Sequence, residues 1–401
     1  MGIPHKLYRY LQSFFAGPAC PGKNYQEPMI TRKTMDAVLY SIESPKYHLF
    51  DINDVNTLQG WVLYFGSKRV QGIKVYYDDD YMKTIPVEVR RDDVAAHIPS
   101  VPEARYSGFQ GLLPFQESVQ TIWSELIYDD GSAEHFFDYP VHQVVKNQAM
   151  YQRWIERLCA MSRPDIEHIF LTQGHTNAEE YTNSILPAAQ SFLDYLRKAG
   201  VSVEEHMNVL DFGCGAGRML QGLHAVDPGW VLFGCDYNSQ LIDWNRMHLP
   251  KGIECSVNAL HPPLEYKSDQ FDCIYLISVF THLSLNNQRQ WIEELTRILR
   301  PGGVVLITLQ GEVYARNVFH QQPEKMREFE DVGYADTGEQ TVEGENRFAA
   351  LHSPAFACQL FAGFELAAWF PQGNMPGQRK IFPIALAQDV YLFRSQKKGD
   401  R

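Results

Sequence analysis

The residues best suited to chemistry lie between Val209 and Arg218, where the apolar run Val209-Leu210-Asp211-Phe212 leads into Gly213-Cys214-Gly215-Ala216-Gly217. Glycine at alternate positions lets a chain turn tightly and lets a ligand lie against bare backbone. The Asp211 carboxylate, two residues before the first glycine, would oppose a pyrophosphate on the following helix, but not a ligand carrying an ammonium and a sulfonium. Further on, Phe233-Gly234-Cys235-Asp236 ends a second apolar run with a carboxylate, where the ribose hydroxyls of an adenosine ligand are held in folds of this kind. Two histidines could act as bases. His282 lies just past the apolar run Phe271 to Ile277, and His352 lies beyond a long insert; an imidazole with a pKa near ~6.5 suits removal of a hydroxyl proton at neutral pH. Asp389 is placed to orient either of them. His175 and Tyr181, ahead of the glycine turn, are candidates to close over the ligand.

These residues need strands to hold them. From Asn208 onward short apolar runs alternate with helical patterns: Val209 to Phe212, Trp230 to Cys235, Ile253 to Val257, Phe271 to Ile277 and Val304 to Leu309. Such repetition predicts an α/β fold with a doubly wound, mostly parallel sheet covered on both faces. Trp291, Ile292, Leu295, Ile298 and Leu299 share one helical face, which Pro301-Gly302-Gly303 terminates. The mixed-charge insert from 312 to 351 reads as a solvated lid on the acceptor side.

Upstream the period changes. Residues 1–35 read as an irregular N-terminal arm broken by Pro18, Pro21, Gly22 and Pro28. In 36–148, Ile73, Val75 and Tyr77 alternate with polar partners, as do Ile85, Val87 and Val89, and Asp130-Gly131 reads as a hairpin turn. An N-terminal antiparallel β-sandwich is therefore expected. Residues 149–200 read as a helical lead-in, with Ile185, Leu186, Ala189, Phe192, Leu193 and Leu196 on one face, and 201–396 as the α/β domain.

Composition narrows the partners. At 401 residues the chain suits two or three domains, and its 45% hydrophobic and 21% charged content is that of compact globular units. Acidic residues outnumber basic ones 48 to 36, and the net charge of −12, with no basic run, leads to the expectation of no nucleic-acid partner. The seven cysteines are scattered, without CxxC pairs, which predicts a reducing, cytoplasmic setting and no metal site. The apolar stretch from Leu11 to Ala19 is too short for a secretory core or a membrane span, so no targeting or stable membrane insertion is expected.

Over about residues 175 to 395 the chain resembles the class I S-adenosylmethionine-dependent methyltransferases. Asp211, Gly213, Gly215 and Gly217 match the first motif, Asp236 with Tyr237 the ribose-binding acid, and Asn258-Ala259 the adenine-side position after strand three. Phe271 to Ser278 matches the fourth strand, and Leu299-Arg300-Pro301-Gly302-Gly303 the turn before the fifth. The resemblance implies a seven-stranded sheet, S-adenosyl-L-methionine as cofactor, and cofactor contacts from all of these positions, Ser278 included. Ser278 to Leu283, His352-Ser353-Pro354 and Gln388-Asp389-Val390 look more narrowly like bacterial surface-glycan-associated methyltransferases with an N-terminal β-sandwich. That likeness implies O-methylation of a sugar or another small hydroxyl-bearing acceptor. Where such enzymes often carry a histidine before the glycine after strand five, this chain has Gln310-Gly311. A natural product or a protein is an alternative acceptor. So is a different kind of protein, a glycan-binding module with a vestigial cofactor pocket, in which Trp61, Tyr76, Tyr77 and Trp123 would stack on sugars. Ile277-Ser278-Val279-Phe280 is unlike the Asp/Asn-Pro-Pro-Tyr turn of amino-methylating nucleic-acid enzymes, and the paired glutamates of arginine methyltransferases are missing there.

Overall fold

The computed structural model describes residues 37–397 except 46–49, 51–54, 117, 140, 142–145, 174–176, 204–205, 227–228, 320–321, 337–342, 345–347 and 374–387. The expected N-terminal arm and His175 lie outside the described residues.

The first half is β1 (Ala37–Ser44), β2 (Val55–Phe65), β3 (Val70–Tyr77), β4 (Asp80–Val89), helix α1 (Asp92–His97), β5 (Gly108–Pro114), β6 (Ile122–Tyr128) and β7 (Ala133–Tyr139). Alternation sends Ile73, Val75 and Tyr77 inward to meet Ile85, Val87, Leu126 and Phe137. All neighbours pair antiparallel, in the order β1-β2-β5-β4-β3-β6-β7. The structure thus differs from the expected two-sheet sandwich. β4 pairs with both β3 and β5, so the sheet is continuous, and irregularities at Ile42/Ser44, Val75/Tyr76, Val87/Val89 and Ser124/Glu125 let it bend. It curls until Tyr40 of β1 and Phe136 of β7 touch, with ring centroids 5.0 Å apart. Trp61 and Tyr77 are buried, and Tyr76 and Trp123 stack on each other 4.1 Å apart at 8°, so each covers a face of the other.

Three helices follow: α2 (Gln148–Cys159), α3 (Ile166–Gln173) and α4 (Ala178–Lys198). The remainder is β8 (Asn208–Phe212), α5 (Arg218–Val226), β9 (Val231–Asp236), α6 (Ser239–His248), β10 (Glu254–Val257), β11 (Phe271–Leu276), α7 (Leu285–Ile298), β12 (Leu299–Leu309), α8 (Glu312–Val318), α9 (Pro323–Val332), β13 (Tyr334–Asp336), β14 (Ala350–His352), α10 (Pro354–Leu360), β15 (Phe364–Phe370) and β16 (Asp389–Ser395). Its seven-stranded sheet runs β10-β9-β8-β11-β12-β16-β15. The pairs from β10 to β12 are parallel, and β16 is antiparallel to both neighbours. The chain works outward from β8 to one edge and then restarts at β11 on its other side. That reversal opens a crevice at the carboxyl ends of β8 and β11, where ligands bind in open α/β sheets. Among the described residues no helix is long and apolar enough to cross a membrane.

The two halves share an apolar cluster in which Val313 and Tyr314 of α8 meet Leu39, Trp61, Leu63 and Val94 of the first half. The residues around the glycine turn, by contrast, all lie beyond position 165. A chain beginning near residue 149 is therefore expected to bind S-adenosylhomocysteine still, while losing roughly 2–4 kcal/mol of stability from the exposed α8 face. Titration calorimetry and thermal melting of that fragment check both expectations. A folded fragment without affinity would show that the first half contributes to the pocket.

Candidate functional site

The turn after β8 places Gly213, Gly215 and Gly217 at φ of +79°, +53° and +73°, all in the left-handed region. Asp211 is buried just ahead of it, and burial pushes its carboxyl up to about 8. At the end of β9, Asp236 Oδ2 accepts from the Gly215 amide (2.8 Å) and Oδ1 from that of Asn238 (2.9 Å). Burial raises this carboxyl as well. The Asn258 amide donates to the Asp236 carbonyl at 3.1 Å. Its side-chain Nδ2 donates to Ala259 O (2.8 Å), while Oδ1 is buried with no hydrogen-bond partner among the described residues. Tyr237, beside Asp236, is 51% exposed.

This donor set fits S-adenosylmethionine. The orphaned Asn258 acceptor suits the amino group of an adenine, a carboxylate bonded at each oxygen has lone pairs left for a ribose diol, and the buried Asp211 suits a cationic amino-acid end.

Thr172 of α3 also touches the glycine turn. Its Oγ1 accepts from the Ala216 amide (3.0 Å), and a Cβ added at Gly215 would lie 2.6 Å from its methyl group. No pattern in the helical lead-in marks it, because the contact spans 44 positions. Tyr181 is buried with its hydroxyl 3.4 Å from Ala216 O, behind the turn.

On the other side of the crevice Ser278 takes a left-handed conformation (φ +60°) two residues past the end of β11, a non-glycine strain of the kind concentrated at functional sites. Its amide donates to Thr308 Oγ1 (2.8 Å), and Thr308 Oγ1 donates to Gln388 Oε1 (2.6 Å). Gln388 Nε2 donates back to Ser278 Oγ (2.8 Å). Gln388 belongs to the Gln388-Asp389-Val390 segment, but its closing of this ring depends on a contact across 110 positions. The following residue, Val279, packs on the cofactor turn: its methyl would lie 2.5 Å from a Cβ at Gly213.

The two histidines differ sharply. His282, in the short helical turn Phe280–His282, is partly exposed, and its Nδ1 lies 2.9 Å from the Phe348 carbonyl. A carbonyl only accepts, so the ring proton sits on Nδ1 and Nε2 carries a lone pair. Burial lowers its pKa from the ordinary imidazole value. His352, in β14, is fully buried, and burial brings its pKa down to about 3. Its Nε2 bonds Gln288 Oε1 (2.9 Å), whose amide nitrogen is committed to the carbonyls of Phe280 (2.9 Å) and Leu283 (2.8 Å). Among the described residues Nδ1 of His352 has no hydrogen-bond partner. Asp389 is buried, its carboxyl pushed up to about 6 by that burial, and accepts from the Gln372 amide (2.9 Å) and the Tyr391 hydroxyl (3.2 Å). Among the described hydrogen bonds neither histidine is its partner. Among the described residues no group of three or more His, Cys, Asp or Glu side chains is arranged to hold a metal ion.

Residues 210–307 match the methyltransferase domain family. A tRNA (carboxymethyluridine(34)-5-O)-methyltransferase of Arabidopsis thaliana is 36% identical over 125 residues, 31% of this chain and 27% of that protein. A tRNA N(3)-methylcytidine methyltransferase of Schizosaccharomyces pombe is 28% identical over 233 residues, 53% of this chain and 71% of its own length. The mitochondrial ubiquinone biosynthesis O-methyltransferase of Dictyostelium discoideum is 27% identical over 116 residues, 26% of this chain and 35% of that enzyme. The chain thus spans about a quarter of the length of the Arabidopsis relative. The tRNA methyltransferases among these relatives overturn the expectation of no nucleic-acid partner. Net charge sums the whole surface and does not set the potential at one face, so −12 overall excludes nothing there. The glycine turn, Asp211 and Asp236 all fall within the stretch that matches the methyltransferase domain family, and the sheet order and the fit to S-adenosylmethionine agree with S-adenosylmethionine-dependent methyl transfer.

Proposed function

We propose that the whole chain is an O-methyltransferase in which His282 takes the proton of the acceptor hydroxyl, the acceptor being a sugar or another small hydroxyl-bearing molecule. The observation that carries this reading is the tautomer imposed by Phe348. The carbonyl keeps the proton on Nδ1 and leaves Nε2 a neutral lone pair, the form a general base must have. Orientation of that ring belongs to the Phe348 carbonyl, and Asp389 instead braces Gln372 and Tyr391. The bound cofactor supplies an electrophilic methyl group. The chain's own residues align the acceptor with it, through the Ser278–Thr308–Gln388 ring, and hold the proton.

A second reading, transfer to a tRNA nucleotide, is favoured by the names of the Arabidopsis and Schizosaccharomyces relatives. Radiolabelled methyl transfer to a panel of sugars, phenols and bulk tRNA separates the two, followed by mass spectrometry of the product. An O-methyl small molecule is the expected result. Label confined to tRNA supports the second reading, and label on nitrogen refutes the need for His282 as a base.

A further inference from the structure

The insert after β12, expected on the acceptor side, also reaches the opposite end of the crevice. The Gly344 amide donates to the His282 carbonyl (2.8 Å), and Glu343 Oε1 accepts from the Ser284 amide (2.6 Å). A Cβ at Gly344 would lie 2.9 Å from the Leu260 side chain and 4.0 Å from the Tyr237 ring. Leu260 follows Asn258-Ala259, and Tyr237 follows Asp236, so both belong to the adenosine side of the site. Gly344 itself sits at φ +85°, a conformation that lets the turn come this close.

We propose that the Glu343–Gly344 turn is the outer wall of the adenosine pocket, fastened by the Glu343 carboxylate to the Ser284 amide, and that Glu343 is therefore a positioning residue for the cofactor. The assignment rests on the cofactor reading and is independent of the acceptor. A carboxylate on a backbone amide is a strong, charge-assisted fastening, and Ser284 also caps α7 through its hydroxyl, so the anchor is itself held.

The test uses the full chain and S-adenosylhomocysteine, with no acceptor needed. Glu343→Ala is expected to raise the ligand's dissociation rate on the order of tenfold, while Glu343→Gln, whose amide oxygen still accepts from Ser284, restores most of the retention. Parental affinity and release rate in a folded Glu343→Ala overturn the proposal. Hydrogen exchange on the unaltered chain decides the matter even if that variant folds poorly. The amides of Ser284 and Gly344 should gain protection on addition of S-adenosylhomocysteine together with Gly215, and protection at Gly215 alone overturns the wall. An unaltered chain that binds no S-adenosylhomocysteine would refute the cofactor reading and the wall with it, and is recognised by the absence of protection at Gly215.

Discussion

Replacing Gly215 with valine is expected to abolish measurable binding of S-adenosylhomocysteine, a loss of at least about a hundredfold, or roughly 2.7 kcal/mol. Two penalties combine at this position. The backbone sits at φ +53°, where an L-residue costs roughly 1–2 kcal/mol and a β-branched one more. The new Cβ would also lie 2.6 Å from the Thr172 methyl and 2.9 Å from its hydroxyl oxygen. Relief requires α3 to move away or the turn to change shape, and the Gly215 amide would then leave Asp236, the carboxylate assigned to the ribose. Gly131 supplies the control, since it has φ +80° with nothing within 4 Å of an added Cβ. Its alanine variant should lose about 1 kcal/mol of stability and no affinity. Calorimetric titration with circular-dichroism melting reads both quantities, and parental affinity in a folded Gly215→Val would show that the cofactor lies elsewhere.

His282→Ala is expected to lower turnover on the identified acceptor by roughly 10²–10⁴, with S-adenosylhomocysteine affinity changing by less than about tenfold. The sign of the pH effect follows from the tautomer. The base works unprotonated, and burial holds its pKa below the ordinary imidazole value, so the parental rate should fall on the acid side of about 6.5 and be flat above it. The variant should lack that limb. His352→Ala should behave in the opposite way, keeping turnover within about tenfold but melting earlier, because Gln288 Oε1 is left buried without its donor at a cost of about 1–3 kcal/mol.

Its linkage runs in the same direction. The folded pKa of about 3 lies below the unfolded value near 6.5, so the unfolded chain takes up the proton first, and stability falls as pH drops from about 6.5 towards 3. That contribution to acid sensitivity should disappear in His352→Ala. Near-parental turnover in both variants would remove either histidine from the chemistry and leave proximity, a carboxylate or a tyrosine to account for the reaction.

What the sequence determined by itself was local. Asp211 and the three glycines announce their turn because left-handed backbone is a property of single residues, and Asp236 announces itself because it ends an apolar run of strand length. Two-residue alternation at Ile73, Val75 and Tyr77 shows which side chains face a core, but it does not say whether the strands form one sheet or two. Only the pairing of β4 on both sides decided for a single curled sheet.

The same division runs through the site. His282 and His352 are alike as residue types, one past an apolar run and the other past a long insert. Their difference comes from partners 66 and 64 positions away, a carbonyl that holds the proton on Nδ1 in one case and a buried amide that occupies Nε2 in the other. Thr172 against the glycine turn, Gln388 against Ser278 and Glu343 against Ser284 are contacts across 44, 110 and 59 positions. A side chain's protonation and reach depend on what the fold packs beside it, and residue type and spacing carry no record of neighbours brought together from that far along the chain.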